Sequence, residues 1–193
     1  MTHSPVEGPP EPTGRTERQT AVTLSSERAA RWPTVRPWLG VAARLGLATV
    51  WLVAGGTKVG DLAASGRAVN AYQILPYDVA TVVGAALPFV ELALGVLLLL
   101  GLATRLAAGF SAALLVVFVA GIASAWSRGL SIDCGCFGSG GQLAAGQSPN
   151  YGPEILRDLG FLALAGFLLI WPRTPLSVDG ALAGENTLED VDE

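Results

Sequence analysis

The only two cysteines of the chain, Cys134 and Cys136, lie in the stretch GLSIDCGCFGSGG and are separated by one glycine. A disulfide needs Cα atoms about 4.4–6.8 Å apart and a dihedral angle near about 90°. Residues two positions apart reach that geometry only with unusual backbone angles, which Gly135 permits. A disulfide here would close a very small ring and constrain almost nothing. It would be strained and easily reduced, which suits thiol–disulfide exchange better than a stabilising cross-link.

Two other interpretations of the cysteine pair remain open. The cysteines could be incidental thiols in a tight turn. They could also bind a metal, but zinc requires four ligands, or three and a water molecule, and this loop offers only the two thiolates and Asp133. The remaining ligands would have to come from a partner, so we expect no metal site in the chain itself. The only histidine, His3, precedes the first apolar segment and lies far from the cysteines.

A redox-active pair must exchange electrons with something else. The chain has no second cysteine pair and shows no G-x-G-x-x-G fingerprint for a dinucleotide, so no cofactor-binding residue is predicted. The other party is therefore a separate thiol protein, a membrane quinone, or both. Since the thiolate is the attacking form, a group that lowers its pKa would promote exchange. Arg128 and the backbone N–H groups of the turn are the candidates for that role.

The elements that position the cysteines are apolar. The chain is 51% hydrophobic and 15% charged, with a mean hydropathy of +0.48, whereas soluble domains carry roughly 25% charged residues. Apolar segments run over about 38–56, 79–101, 106–126 and 155–171, and roughly 17–25 apolar residues cross a bilayer as a helix. The sequence therefore predicts an all-α integral membrane protein, a bundle of four transmembrane helices over 38–172. Disordered tails are expected over 1–37, which is rich in Pro and Glu, and over 173–193, which is acidic.

Flanking Lys and Arg residues predict the orientation in the membrane. With four crossings both termini share one side, and that side carries most of the positive charge (Arg28, Arg31, Arg36, Arg105 and Arg173, against Lys58, Arg67, Arg128 and Arg157). We therefore expect a multi-pass plasma-membrane protein with cytoplasmic termini and the cysteine loop outside, where disulfides persist. The late first apolar run predicts no cleaved signal peptide. The absence of a basic stripe with interleaved aromatics argues against nucleic acid as a partner.

Small residues predict which helix faces pack together, because small side chains let helices approach closely in lipid. On the first segment that face is Ala42, Gly46, Thr49 and Val53, and on the second it is Gly84, Pro88, Glu91 and Gly95.

Charged residues within the apolar segments require partners, because a charge in hydrocarbon is costly. For Glu91 the candidate partners are Arg44, Lys58 and Asp61. Glu91 is either part of a proton relay or polar clamp beneath the cysteine loop, or a structural group that is neutral or paired, and the sequence leaves both open. Arg157 and Asp158 form either a local ion pair, which we favour, or a contact to the cysteine loop.

Five blocks of the sequence resemble a known family: AGGTKVGDL, NAYQILP, LPFVELALGVLLLLGLATR, RGLSIDCGCFG and LRDLGFLAL. In this order they are similar to the methylamine-utilisation membrane proteins, the MauE family, and their DoxX-like relatives, over about 39–171. The resemblance implies a four-helix membrane protein that acts beside a thioredoxin-like partner in maturing an enzyme rich in disulfides. The matching positions are Lys58, Asp61, Tyr72, Pro76, Glu91, Arg128, Cys134, Gly135, Cys136, Phe137 and Gly138.

Three functions follow from these observations. In the favoured one, Cys134 and Cys136 exchange electrons with a thioredoxin-like extracytoplasmic protein, with quinone as a candidate electron acceptor and Glu91, Lys58, Asp61 and Arg128 in support. The alternative is a non-enzymatic assembly factor or scaffold for an exported enzyme, in which the cysteines are dispensable. A small-solute transporter is disfavoured because the four segments show no internal repeat.

Overall fold

The computed structural model describes residues 37–136, 140–143, 146–172 and 177–178. The expected tails, 1–37 and 173–193, lie almost entirely outside the described residues. Phe137 and Gly138 of the cysteine loop also lie outside them.

All four apolar segments form long helices. They are α1 (Pro37–Lys58), α3 (Tyr77–Leu100), α4 (Thr104–Ser127) and α5 (Tyr151–Ile170). By length and composition, α1, α3 and α4 can each cross a membrane. The 20 residues of α5 include three charged ones in the first two turns, and α5 is not among these candidate spans. An all-α membrane protein fits this architecture.

A short fifth helix, α2 (Leu62–Ala71), lies between α1 and α3 and was not predicted from the sequence. Its N-cap is Asp61, whose carboxylate accepts a hydrogen bond from the Ala64 N–H at 2.8 Å. Its buried face is made of small residues (Ala64, Ser65, Gly66, Ala68 and Ala71), of which Ser65 and Gly66 lie against Gly84 of α3. The contact is so close that a Cβ on Gly84 would lie 2.5 Å from the Ser65 carbonyl oxygen. Hydropathy did not reveal α2 because this helix packs through close approach of its backbone to α3 and not through large apolar side chains.

One predicted helix face is confirmed and the other is wrong. On α3 all four members of the predicted face are buried (Gly84, Pro88, Glu91 and Gly95). On α1 all four are exposed (Ala42, Gly46, Thr49 and Val53), and the buried face carries Ala43, Leu47, Trp51 and Ala54. The indole of Trp51 is 1% exposed and donates a hydrogen bond to the Ser111 hydroxyl at 2.9 Å. A large side chain with a buried polar partner fixes the orientation of α1, whereas small residues on a lipid-facing surface carry no such constraint.

The central core joins all four long helices. Its buried members come from α1 (Leu47, Ala48 and Trp51), α3 (Leu94 and Leu98), α4 (Ala107, Ala108 and Leu115) and α5 (Ala165 and Leu168).

The cysteine segment begins with a minimal hairpin. Strand β1 (Ile132–Asp133) pairs antiparallel with β2 (Gly141–Gln142), with Ile132 opposite Gln142 and Asp133 opposite Gly141. Both cysteines follow β1 directly, within the connection between the two strands. The sequence predicted a glycine-rich loop here but not the strand pairing that closes it.

Candidate functional site

The hairpin is attached at its base to α4 and α5 through Tyr151. The Tyr151 hydroxyl donates to the Leu130 carbonyl and accepts from the Ile132 N–H at 3.2 Å. The Tyr151 side chain is buried, and its ring centroid lies 6.1 Å from that of Trp126 on α4. One phenol therefore fixes the chain just before the cysteines to the first residue of α5.

The hairpin is attached on its other side to α2. A Cβ on Gly140 would lie 2.2 Å from the Gly135 Cα and 3.1 Å from the Ala68 Cβ, so glycine allows the hairpin to lie flat on the helix. The Tyr72 hydroxyl, at the end of α2, donates to the Cys134 carbonyl at 3.0 Å. Burial, with the adjacent thiols, raises the pKa of Tyr72, so its hydroxyl remains a donor. The cysteine segment is thus held between α2 and α5.

Arg128 supports this arrangement without bonding to either thiol in the described part of the chain. Its guanidinium donates to the Tyr72 carbonyl at 2.5 Å and the Gln73 carbonyl at 3.4 Å, which joins the end of α4 to the end of α2. The sequence suggested Arg128 as a group that lowers the pKa of the thiolate. In the structure Arg128 instead hydrogen-bonds to the carbonyl of Tyr72, whose hydroxyl donates to the Cys134 carbonyl.

The two cysteines are free thiols in different surroundings. Gly135 between them adopts the left-handed conformation, with φ of 69°. Cys134 is half-buried, and its sulfur accepts from the Cys136 N–H at 3.4 Å and from Arg157 Nη2 at 3.7 Å. Cys136 is 8% exposed. The backbone turns at Gly135, so that the Cys136 thiol is buried more deeply than the Cys134 thiol.

These surroundings separate the pKa values of the two thiols. The hydrogen bond from the Cys136 thiol is the largest cause of a lowered pKa at Cys134; the Cys136 N–H and Arg157 add to it, and burial opposes it. The same hydrogen bond raises the pKa of Cys136, followed by burial and the negative charges of Cys134 and Asp158. Of the two thiols, Cys134 is therefore the one that loses its proton more readily, and Cys136 the one that keeps it.

Three charged residues, Glu154, Arg157 and Asp158, lie on the face of α5 that is directed to the cysteine pair. Asp158 is 2% exposed, and its Oδ1 lies 3.0 Å from Arg157 Nη2, so the predicted local ion pair is confirmed. The alternative contact to the cysteine loop is also present, because the same Nη2 faces Cys134. Glu154, one turn earlier, places a carboxylate oxygen within 4.8 Å of both the Cys134 sulfur and an Asp133 oxygen.

Sequence reasoning missed Glu154. The signal was available in the spacing, because Glu154, Arg157 and Asp158 stand at i, i+3 and i+4 and so share one helix face. Asp133, Cys134 and Glu154 are all metal-binding residue types. The positively charged guanidinium of Arg157 lies beside the same sulfur and would repel a bound cation. We therefore assign no metal to these three residues.

A second charged site lies between α1 and α3. Lys58 Nζ is 2.6 Å from Glu91 Oε1, and the two residues are 5% and 0% exposed. Lys58 is thus the partner of Glu91 among the three candidates. Asp61 caps α2 and lies 3.8 Å from Arg67, and Arg44 lies against Gly101 at the other end of α3. Neither Lys58 nor Glu91 hydrogen-bonds to a thiol among the residues that the structure describes.

Comparison with known proteins agrees with the resemblance found in the sequence. The family model for the methylamine utilisation protein MauE matches residues 36–171. The methylamine utilization protein MauE of Paracoccus denitrificans is 34% identical over 149 residues, which cover 77% of this chain and 76% of the relative. No solved structure matches the chain. The extent of the family match and the similarity to this relative show that the chain belongs to the MauE family.

Proposed function

We propose that this protein is the membrane component of an extracytoplasmic thiol–disulfide exchange system, with Cys134 as the attacking thiolate and Cys136 as the resolving thiol. The observation that carries this proposal is the inequivalence of the two thiols. Cys134 is half-exposed and lies beside Arg157, and Cys136 is buried behind it and retains its proton. Two thiols without a function in the turn would have no need of different exposures and different pKa values.

The exchange balances with a partner of the thioredoxin-like class. The Cys134 thiolate attacks one sulfur of the partner's disulfide, forming a mixed disulfide and releasing the partner's other sulfur as a thiolate. Cys136 then loses its proton and attacks the Cys134 sulfur, which forms the Cys134–Cys136 disulfide and releases the first partner sulfur. Two electrons pass to the partner, and the reverse sequence oxidises a partner dithiol. Because the chain has only these two cysteines, we propose a membrane quinone as the second redox partner.

The proposed topology has four spans, with both termini in the cytoplasm and the hairpin outside. The packing of α5 along α4 supports the fourth span: Tyr151 meets Trp126 at one end, and a Cβ on Gly109 would lie 3.7 Å from Leu169 near the other. At about 1.5 Å per residue, 20 residues extend about 30 Å, enough to cross the hydrocarbon. Two of the charges at the start of α5, Arg157 and Asp158, pair with each other and face the hairpin.

The family's name supplies the physiological setting of the proposal. The relative is named for methylamine utilisation, and we extend that association to this chain as a protein that serves the maturation of an exported enzyme. A scaffold that needs no thiol chemistry is the competing function, and serine variants separate the two.

The test uses the purified, reduced full chain in lipid nanodiscs and a chromogenic aromatic disulfide. Wild type should release one chromogenic thiol on attack and a second on resolution. Cys136→Ser should stop after the first and retain the mixed disulfide, whereas Cys134→Ser should react far more slowly. Equal, slow reaction of both single variants would contradict the assigned roles. Full biological function of the double serine variant would establish the scaffold instead.

A further inference from the structure

Resolution of a mixed disulfide poses a proton problem that the two cysteines cannot solve alone. In the reduced pair the proton of Cys136 is shared with the Cys134 sulfur. Once Cys134 is bonded to a partner it no longer carries the charge that accepted this hydrogen bond. Cys136 is 8% exposed, so water reaches it poorly. A base near the pair is needed before Cys136 can attack as a thiolate.

Three carboxylates lie near the thiols, and they differ in their existing bonds. Asp158 has one oxygen, Oδ1, held by Arg157 at 3.0 Å and another, Oδ2, that is buried without a hydrogen-bond partner among the described residues. The residue is only 2% exposed, so it serves as the counter-ion of the guanidinium and has no route to solvent. Asp133 is exposed, and its Oδ1 accepts the Gly135 N–H at 3.2 Å, so it shapes the turn.

Of the three carboxylates, Glu154 combines a position beside the Cys134 sulfur and an unpartnered buried oxygen with access to solvent. One of its oxygens lies within 4.8 Å of the Cys134 sulfur, and its Oε2 is buried without a hydrogen-bond partner in the described structure. The side chain as a whole is half-exposed. A proton carrier needs both properties, an unpartnered oxygen that can accept a proton inside the protein and partial exposure that lets it release the proton to solvent.

We infer that Glu154 is the catalytic base and acid of the cysteine pair. This inference rests on the proposed exchange function. In the resolving step the Cys136 proton moves to the Glu154 carboxylate, and the Cys136 sulfur forms its bond to Cys134. The Cys134–partner bond breaks, and its electron pair leaves on the partner's sulfur. Glu154 then returns the proton to that leaving thiolate or to water, so that charge and protons balance.

The charged and titratable groups that face Glu154 come from three elements. The hairpin contributes Asp133 and Cys134, α5 contributes Arg157 and Asp158, and the end of α2 contributes Tyr72. Loss of the Glu154 carboxylate removes a negative charge beside Cys134, so the first attack should be unchanged or slightly faster. Only the resolving step should become slow.

The test follows both steps by stopped flow in the full chain, with the same chromogenic disulfide, from pH 6 to pH 10. For Glu154→Gln we expect the second release to slow by about 100-fold at neutral pH. The difference should shrink as hydroxide replaces the missing base. The first release should stay within about threefold of wild type. Asp78→Asn, which removes an exposed carboxylate at the start of α3, is the charge-matched control.

A second variant guards against misfolding. In Glu154→Ala, added acetate should restore part of the second step, which a purely structural defect would not allow. A Glu154→Gln variant that matches wild type in both steps at every pH would overturn the inference and leave the exchange function standing. A wild-type chain that releases no chromogenic thiol would overturn both.

Discussion

Two charged sites in the described part of the chain are built differently. In the inner site, between α1 and α3, Lys58 and Glu91 are both buried and have each other as partners at 2.6 Å. In the outer site, beside the hairpin, Arg157 is shared between the Asp158 carboxylate and the Cys134 sulfur. The inner site is a closed pair with no other partner in the described structure, whereas the outer site includes a sulfur whose charge a chemical step would create or remove.

This difference separates structure from chemistry. In the proposed exchange, formation of a disulfide at Cys134 would remove the negative charge of the sulfur, and Arg157 would then have only Asp158 as its anionic partner at this site. No comparable step acts on Lys58 and Glu91, and neither hydrogen-bonds to a thiol within the described residues. Of the two interpretations of Glu91, we therefore favour the paired structural group, and in the proposed exchange we assign the proton chemistry to Glu154.

The largest effect should come from breaking the inner pair. Glu91→Gln leaves the Lys58 ammonium buried without a counter-charge, which should destabilise the fold by about 3–5 kcal/mol. Denaturant unfolding in mild detergent measures this. Combining it with Lys58→Met should recover much of the loss. A Glu91→Gln protein of full stability that fails to exchange disulfides would reverse the comparison and make Glu91 the proton relay.

A smaller loss should follow from separating the hairpin from α2. A methyl group at Gly140 would clash with the Gly135 Cα, which is backbone and cannot move aside cheaply, so Gly140→Ala should cost about 1–3 kcal/mol. We expect faster proteolysis within the hairpin and slower exchange. Gly160→Ala on α5, where a Cβ has no neighbour within 4 Å, should change neither.

Loss of Arg157 should change reactivity, and it should also destabilise the fold because the buried Asp158 carboxylate loses its counter-ion. Arg157→Gln removes the cation that lowers the pKa of Cys134, so the pKa should rise and less thiolate should be present at neutral pH. The rate of alkylation at pH 7 should fall by about tenfold and recover as the pH rises, a shift of about one pH unit. Arg67→Gln, which removes an exposed arginine on α2, should leave the profile in place. An unshifted profile for Arg157→Gln would show that the turn's N–H groups suffice.

The smallest effect should come from Tyr72→Phe. It deletes the hydrogen bond to the Cys134 carbonyl, worth about 1 kcal/mol, and leaves the ring in place. Hydrogen exchange in the hairpin should accelerate by about fivefold. The rate of hydrogen exchange in α3 should stay the same. Faster hydrogen exchange in α3 would mean that the hairpin and the helices unfold together.

The sequence predicted what depends on periodicity and local backbone chemistry. The four long helices and the buried face of α3 follow from patterns within a few residues. The buried face of α1 was wrong because Trp51 finds its partner on α4, 60 residues away. Helix α2 and the β1–β2 pairing were missed because close backbone packing leaves little trace in hydropathy. Glu154 was missed for a related reason: its position beside Cys134 depends on how α5 meets the hairpin.

The most direct test of the central claim is to label the thiols of intact cells with a membrane-impermeant maleimide, with and without prior mild reduction. The account predicts that Cys134 is labelled from outside and that prior reduction increases the labelling, because cells should hold both the free thiols and a reducible Cys134–Cys136 disulfide on the outer side of the membrane. Labelling that appears only after the cells are lysed, or that is equal with and without reduction, would contradict it.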